Sequence, residues 1–268
     1  MSHEIHGTIV VINGGGDVGS AVAHVLFHHG YIPVVVESAM PSTTRRRMAF
    51  AAAVFDGEAE LEGVRAERVE SLAALRALLV WKKVVPVFVG KLEELLHEFS
   101  PPIVVDARMR KRELPEVQTA QAPLVIGLGP GFTAGKNVHV AIETNRGPDL
   151  GRIITEGSAE PYTGEPISLA GYKRERYAYA PVAGTFQTRL DVGDFAHAGD
   201  LLGQIGGHKL YAQVAGIIRG ITKDGIVVKQ GTKVAEVDPR GQEESITGIA
   251  ERPRKIAEGV LEAIRRFH

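Results

Sequence analysis

The residues best placed to do chemistry in this chain are three glycines. In GGGDVG, Gly14, Gly16 and Gly19 stand in the order G-x-G-x-x-G, with Asp17 among them. In that pattern the first glycine permits a tight turn, the second lets a pyrophosphate approach the backbone, and the third lets a helix pack closely on a strand. Glu37 ends the run IPVVVE, 18 residues past Gly19, where a carboxylate meets a ribose 2′-hydroxyl in dinucleotide sites. Arg45, Arg46 and Arg47 follow in STTRRRMAF. Their planar guanidinium forks suit a phosphate, and a solvated helix start is the alternative reading of the same run. Asp106 closes PPIVVD, at the carboxyl end of an expected strand, where open parallel sheets hold ligands. Arg108 and Arg110 follow it and offer neutralisation instead.

A second glycine-rich stretch, VIGLGPGFTAGKNVHVAIETNRG, carries Gly127, Gly129, Gly131, Thr133, Gly135 and Lys136, then Thr144, Asn145 and Arg146. Its backbone N–H groups are suited to lining an anion, or its glycines serve a connection that needs positive φ. Spacing alone does not choose. No Gly-Lys-Ser or Gly-Lys-Thr closes it, so it is not a P-loop. Glu143 and Arg146 are also suited to pair with each other. His24 and His28 lie four apart off the apolar stripe of a helix, which points to a solvated face rather than a metal site. His139 is expected to be packed or hydrogen-bonded within a strand. No catalytic triad order, paired-carboxylate signature or H-E-x-x-H is present, so no catalytic residue is assigned.

These candidates need strands and helices to position them. TIVVI is a β-branched run suited to a strand buried on both faces of a parallel sheet. Val18, Ala21, Val22, Val25 and Leu26 recur at helical spacing, which predicts a helix over 17–29 ended by Gly30. IPVVVES, VVPVFV, PPIVVDA, PLVIG and VHVAIET continue as strands, with SLAALRALLVWKK and KLEELLHEF as helices between them. The pattern is α/β: a Rossmann-like parallel-sheet domain over residues 1–155.

The C-terminal half is a repeat. Ala180, Gly184, Gly193, Gly199 and Ile205 recur as Ala212, Gly216, Gly225, Gly231 and Val237, each 32 positions later. Short apolar strands broken by glycine turns predict a duplicated all-β unit over 156–240, with pseudo-twofold symmetry and one shared core. This part resembles the biotinyl/lipoyl carrier fold, a barrel-sandwich hybrid. Lys209 stands near the midpoint where carriers are modified, but its flanks are neither Met-Lys-Met nor Asp-Lys-Ala, and a type I′ or II′ turn at Gly206-Gly207 fits better. Residues 241–268 end in a helix whose stripe of Ile256, Val260, Leu261, Ile264 and Phe267 should dock on the body, with Pro253 near its start.

A chain of 268 residues with formal net charge -1 lacks the basic excess that favours nucleic acid. The absence of cysteine excludes disulfides, Fe–S ligation and thiolate catalysis within it. No apolar run reaches membrane-helix length, and MSHEIHG lacks the order of a signal peptide, so no membrane partner and a cytoplasmic location are expected.

Over nearly its whole length the chain resembles the accessory proteins of selenium-dependent molybdenum hydroxylase systems, the YqeB type, related in part to the maturation factors of xanthine and carbon monoxide dehydrogenases. The resemblance rests on INGGGDVGSAVAHVL, RRMAFAAAVFDG, VVDARM, VIGLGPGFTAG with VHVAIETNRGPDLGR, APVAGTF, and KVAEVDPRG with GVLEAI. It implies an assembly role: preparing or inserting a molybdenum cofactor for a hydroxylase apoenzyme, alongside other maturation proteins. Its implied site comprises Gly14, Gly16, Gly19, Arg45, Arg46, Asp106, the loop from Gly127 to Gly135, and Thr144, Asn145 and Arg146. Departures stand at Pro148, at the RKREL run and at Ser245, where the family pattern has His, an AKRN-like run and Cys.

Three functions follow. The first is a maturation factor binding a nucleotide or a molybdopterin dinucleotide. The second is an NAD(P)-dependent oxidoreductase with Glu37 on the ribose and His139 or Lys136 as acid. The third is a carrier or docking module built on the C-terminal repeat. A homo-oligomer is compatible with each.

Overall fold

The apolar runs of the N-terminal half become strands buried on both faces. The computed structural model describes residues 7–110 and 114–268; the MSHEIH segment, on which the signal-peptide reading rests, and residues 111–113 of RKREL lie outside the described residues. In β1 (Ile9–Asn13) successive side chains enter opposite cores, Val10 and Ile12 one, Val11 the other. The chain continues through α1 (Asp17–His28), β2 (Ile32–Glu37), a short α2 (Ala53–Asp56), β3 (Glu58–Leu61), β4 (Val64–Val69), α3 (Leu72–Trp81), β5 (Val85–Val89), α4 (Leu92–Phe99), β6 (Ile103–Asp106) and β7 (Leu124–Leu128). Short strands follow: β8 (Thr133–Ala134), β9 (Val140–Ile142), β10 (Ile153–Ile154) and β11 (Gly157–Ser158).

These strands make a nine-stranded sheet in the order β10-β9-β7-β6-β1-β2-β5-β4-β3, while β8 and β11 pair separately. Every neighbouring pair from β9 to β4 is parallel, and the two edge pairs are antiparallel. Leu75 and Leu79 of α3 and Leu92 and Leu95 of α4 cover one face. Val18, Val22 and Leu26 of α1 cover the other. The hairpin β3–β4 carries no expectation from the sequence, because EAEL is polar and its strand lies at an edge; Glu62 and Gly63 turn it with φ of 46° and 81°.

The chain divides into two compact units, one of residues 1–39, 49–163 and 249–268, the other of residues 40–48 and 164–248. This division differs from 1–155, 156–240 and 241–268. The final helix α5 (Glu251–Phe267) belongs to the first unit, where Ile256, Val260, Leu261 and Ile264 pack with α1 as the stripe predicts. Phe267 departs from the stripe and is 48% exposed. Residues 40–48 belong to the second unit because Ile221 N–H donates to Thr44 C=O at 2.9 Å and Arg45 is bonded to Glu236.

The second unit contains β12 (Tyr177–Tyr179), β13 (Gly184–Gln187), β14 (Phe195–Ala196), β15 (Leu201–Ile205), β16 (His208–Tyr211), β17 (Gly216–Ile221), β18 (Val227–Val228) and β19 (Lys233–Asp238). Two four-stranded sheets form, β12-β19-β17-β14 and β16-β15-β13-β18. The repeat is visible in their register: Gly184 opposes Val228 and Thr185 opposes Val227, while Ala196 opposes Gly216 and Phe195 opposes Ile217. Each copy therefore lends its short middle strand to the other, so neither completes a sheet alone. Gly206 and Gly207 have φ of 54° and 83° between the paired Ile205 and His208, the type I′ hairpin turn. The whole is a mixed α/β protein with a large, mostly parallel sheet and a separate antiparallel β region.

Candidate functional site

The three motif glycines have three different physical reasons. Gly14 adopts φ +107°, and a Cβ there would lie 3.0 Å from the Arg108 backbone nitrogen. A Cβ on Gly19 would lie 1.9 Å from the Gly14 carbonyl oxygen, so α1 rests directly on the turn. Gly16 has φ −65° and ψ −175°, which any residue adopts, and a Cβ there would meet nothing within 4 Å. Its missing side chain leaves open space at the start of α1, where backbone N–H groups and the helix dipole favour an anion. Asp17 puts a carboxylate in the same first turn, where Oδ1 accepts the Val18 N–H at 3.0 Å.

Glu37 is engaged with the turn. Its Oε1 accepts the Gly15 N–H at 2.7 Å and its Oε2 the Ser38 N–H at 3.1 Å. Burial raises its pKa, and the two amides partly oppose that rise. On the far side of the turn, the Gly15 carbonyl accepts from Ser20 Oγ at 2.9 Å and from the Ala51 N–H at 3.0 Å.

Asp106 lies beside Asn13 in the β1–β6 register, so the ends of these two strands bring the glycine turn and the ARMR segment together. Asp106 is 1% exposed and is held by Arg108 through both oxygens, by Arg110 Nη2 at 3.1 Å and by Gln118 Nε2 at 2.8 Å. It acts as a clamp for two guanidinium groups. Glu116 bridges the same pair, accepting from Arg108 and Arg110 at 2.6 Å each. Burial alone would raise the Glu116 pKa, but hydrogen bonds from Arg110 and Arg108 outweigh it and bring it down to about 2. For Arg108, burial opposes the charge and Asp106 outweighs it, so its pKa is raised. The edge thus brings the open helix start of α1, through the Arg108 backbone against Gly14, next to a segment whose two guanidiniums are oriented by Asp106 and Glu116. Sequence reading treats Arg108 and Arg110 only as partners of Asp106; their signal is the alternation R-M-R directly after a strand end.

The second glycine loop has its donors turned inward. Gly129 N–H donates to Ile142 C=O, Gly135 N–H to Val138 C=O, Lys136 N–H to Thr133 C=O, and Thr133 N–H to Asn137 Oδ1. Gly129, Gly131 and Gly135 adopt φ between 74° and 90°, and a Cβ on Gly127 would strike the Phe132 ring. Of the two readings of this loop, these contacts favour the conformational one. Beyond β9, Glu143 does not pair with Arg146. Its carboxylate is buried and accepts the N–H groups of Thr144, Asn145 and Glu160, each at 2.7 Å. Thr144 is buried beside Gly129, Asn145 Nδ2 donates to the Pro161 carbonyl at 3.0 Å, and Arg146 is exposed.

The remaining candidates lie apart from this edge. Arg45 and Arg46 belong to the second unit, Arg45 on Glu236 at 3.0 Å and Arg46 on Asp191 at 2.8 Å. His139 accepts the Val125 N–H on Nδ1 at 2.9 Å, which places its ring, and Lys136 three residues before it, near the amino-terminal ends of β7 and β9. His24 is not solvated as expected. It is 6% exposed, its ring centroid lies 4.6 Å from that of His28, and burial lowers its pKa. Among the described residues no group of three or more His, Asp or Glu is arranged to hold a metal, and no helix is long and apolar enough to cross a membrane.

Fold and site together define an α/β protein with an anion-suited edge on its parallel sheet. Along 263 residues, 98% of its length, the chain is 41% identical to a protein of Escherichia coli strain K12, the uncharacterized protein YqeB. It spans 48% of that relative, about half its length. No family model matches. Among solved structures, the product-bound ectoine utilization protein EutE (DoeB) from Ruegeria pomeroyi is 13% identical with a TM-score of 0.25, covering 86% of this chain and 85% of its own. A succinylglutamate desuccinylase/aspartoacylase from Rhodobacter sphaeroides is 14% identical with a TM-score of 0.26 over the same shares.

Proposed function

We propose that this chain is an accessory factor in the maturation of a molybdenum hydroxylase, and that the carboxyl edge of its sheet holds the phosphates of a nucleotide or a molybdopterin dinucleotide. The observation that carries the phosphate reading is the open face of Gly16 at the start of α1, with Arg108 and Arg110 oriented beside the same turn. The strand order β5-β2-β1-β6-β7-β9 supports it, being the order of a Rossmann-like doubly wound sheet, in which ligands lie where the order reverses beside β1. The molybdenum reading rests on the family resemblance carried by INGGGDVGSAVAHVL, VIGLGPGFTAG and VHVAIETNRGPDLGR. A bound dinucleotide is held here rather than turned over, because His139 and Lys136, the acids the oxidoreductase reading needs, lie toward the opposite ends of the strands. The second unit reads as a barrel-sandwich hybrid with its strands exchanged between copies. Lys209 lies within β16 opposite Gln204 rather than at a hairpin tip, which disfavours a carrier arm.

The test is thermal unfolding with CTP, ATP, NAD, NADP and the molybdenum-cofactor dinucleotide. A ligand at about 100 times its Kd stabilises by about 2.7 kcal/mol, which raises Tm by about 5 °C or more in a chain of this size. That shift is expected for at least one pyrophosphate ligand and is expected to vanish in Arg108→Met. No shift with any of them overturns the phosphate reading. NAD binding with turnover of a carbonyl substrate replaces it with the oxidoreductase.

A further inference from the structure

The second unit breaks its own symmetry at one place. In the first copy of the repeat, Gln187 and Gln204 oppose each other across β13 and β15, and Gln204 Nε2 donates to Gln187 Oε1 at 2.8 Å. The corresponding residues of the second copy are Arg219 and Glu236. They do not oppose each other. The β17–β19 register runs from Ile218 opposite Val237 to Gly220 opposite Glu236, leaving Arg219 as the extra residue of a β-bulge, a device that re-aims a side chain. Gly220 then admits the segment from the chain's start: a Cβ there would lie 3.2 Å from the Thr44 backbone and from Arg45 Cγ. Arg45 fills the position that Arg219 has left and bonds both oxygens of Glu236 at 3.0 Å.

The result is a local excess of positive charge, in which Arg176 and Arg219 are the most buried cations. Glu236, 1% exposed, is held by Arg45, by Lys233 at 2.8 Å and by Arg176 at 3.4 Å. Asp238, fully buried, is held by Arg240 at 2.6 Å. Arg219 is left with a 3.8 Å approach to Asp238, although its side chain is only 12% exposed. Its Nε has no hydrogen-bond partner, and neither has the Nε of Arg176, a side chain 1% exposed. Burial first and the neighbouring Arg45 second lower the Arg219 pKa, yet an arginine stays protonated. Five cations thus surround the two buried carboxylates, and a buried charge without compensation is strongly destabilising. The rim is open to solvent, with Lys233 and Arg240 30% and 36% exposed.

We infer that this cluster is an anion site that takes a phosphate group, with Arg219 as its principal ligand and Arg176 beside it. The Tyr177 hydroxyl accepts from Arg176 at 2.8 Å and keeps its own proton as a donor. The site is independent of the proposed nucleotide edge, and the experiment separates them. The full chain, Arg219→Gln, Arg108→Met and the double variant Arg108→Met/Arg219→Gln are melted in inorganic phosphate and in AMP, each against chloride at matched ionic strength. Phosphate or AMP is expected to raise the Tm of Arg108→Met, whose nucleotide edge is disabled, by several degrees and to leave the double variant Arg108→Met/Arg219→Gln unmoved. In chloride alone Arg219→Gln, which restores the glutamine of the first copy, is expected to melt at or above wild type. A response to AMP alone assigns a phosphomonoester and a response to phosphate alone the free anion. No response of Arg108→Met to either beyond chloride, or an equal response in the double variant, overturns the site. Should Arg219→Gln fail to fold, phosphorus NMR of inorganic phosphate titrated with Arg108→Met decides: saturable line broadening supports the site and its absence overturns it.

Discussion

At the scale of residues, glycines that look alike in the sequence do different work. Gly19→Ala forces a methyl group against the Gly14 carbonyl, and the overpacking is expected to cost about 1–3 kcal/mol. Gly16→Ala enters open space at an ordinary φ and is expected to change stability by less than about 0.5 kcal/mol, while weakening the phosphate ligand tenfold or more. Urea unfolding and ligand titration of the two variants check this; equal destabilisation would refute the separate roles. The motif was legible because its spacing encodes a turn and a helix start. The partners of Arg45 and Arg46 were not, because Glu236 and Asp191 lie 191 and 145 positions away, and no local pattern carries that pairing. Asp106 was legible as a strand-end carboxylate, but its task of clamping two guanidiniums needed Gln118 and Glu116 to fold back onto it.

At the scale of elements, hydrophobic periodicity predicts the helices well and their docking less well. The stripe of α5 includes Phe267, yet the helix outruns the surface it covers and leaves that ring half exposed. Ile256→Ala, fully buried against α1, is expected to cost about 2–5 kcal/mol. Phe267→Ala is expected to cost less than about 0.5 kcal/mol, as a surface change. Denaturant midpoints compare them, and similar losses would show that the helix end packs as tightly as its middle. The 32-residue repeat likewise announced two equivalent copies. That β14 pairs with β17 and β18 with β13 is a long-range exchange, which equal strand lengths within each copy do not disclose.

At the scale of the whole molecule, the buried charges of the second unit set its response to acid. Glu236 lies well below the ordinary carboxylate range: burial opposes its charge, and Lys233 and Arg45 outweigh that. Its folded-state pKa is depressed, so the stability it contributes is present above about 4.5, the unfolded value, and is lost as pH falls below it. Glu236→Gln leaves Arg45, Lys233 and Arg176 uncompensated and is expected to destabilise by about 3–5 kcal/mol at pH 7. The gap to wild type should narrow steadily below pH 4.5 as the unfolded wild-type chain takes up its proton. Urea unfolding from pH 7 to pH 3 tests it, and a constant gap would mean that Glu236 is held by packing rather than charge. By itself the sequence determined the central strands β1, β2, β5, β6, β7 and β9, the glycine turn, the repeat and most of the docking stripe of the last helix, because each is written in neighbouring residues at a fixed period. Only the tertiary structure decided which charges meet. The division into units, the clamp at Asp106 and the under-compensated arginines around Glu236 all depend on contacts between distant segments, whose energies rest on burial and distance, and no local spacing specifies either.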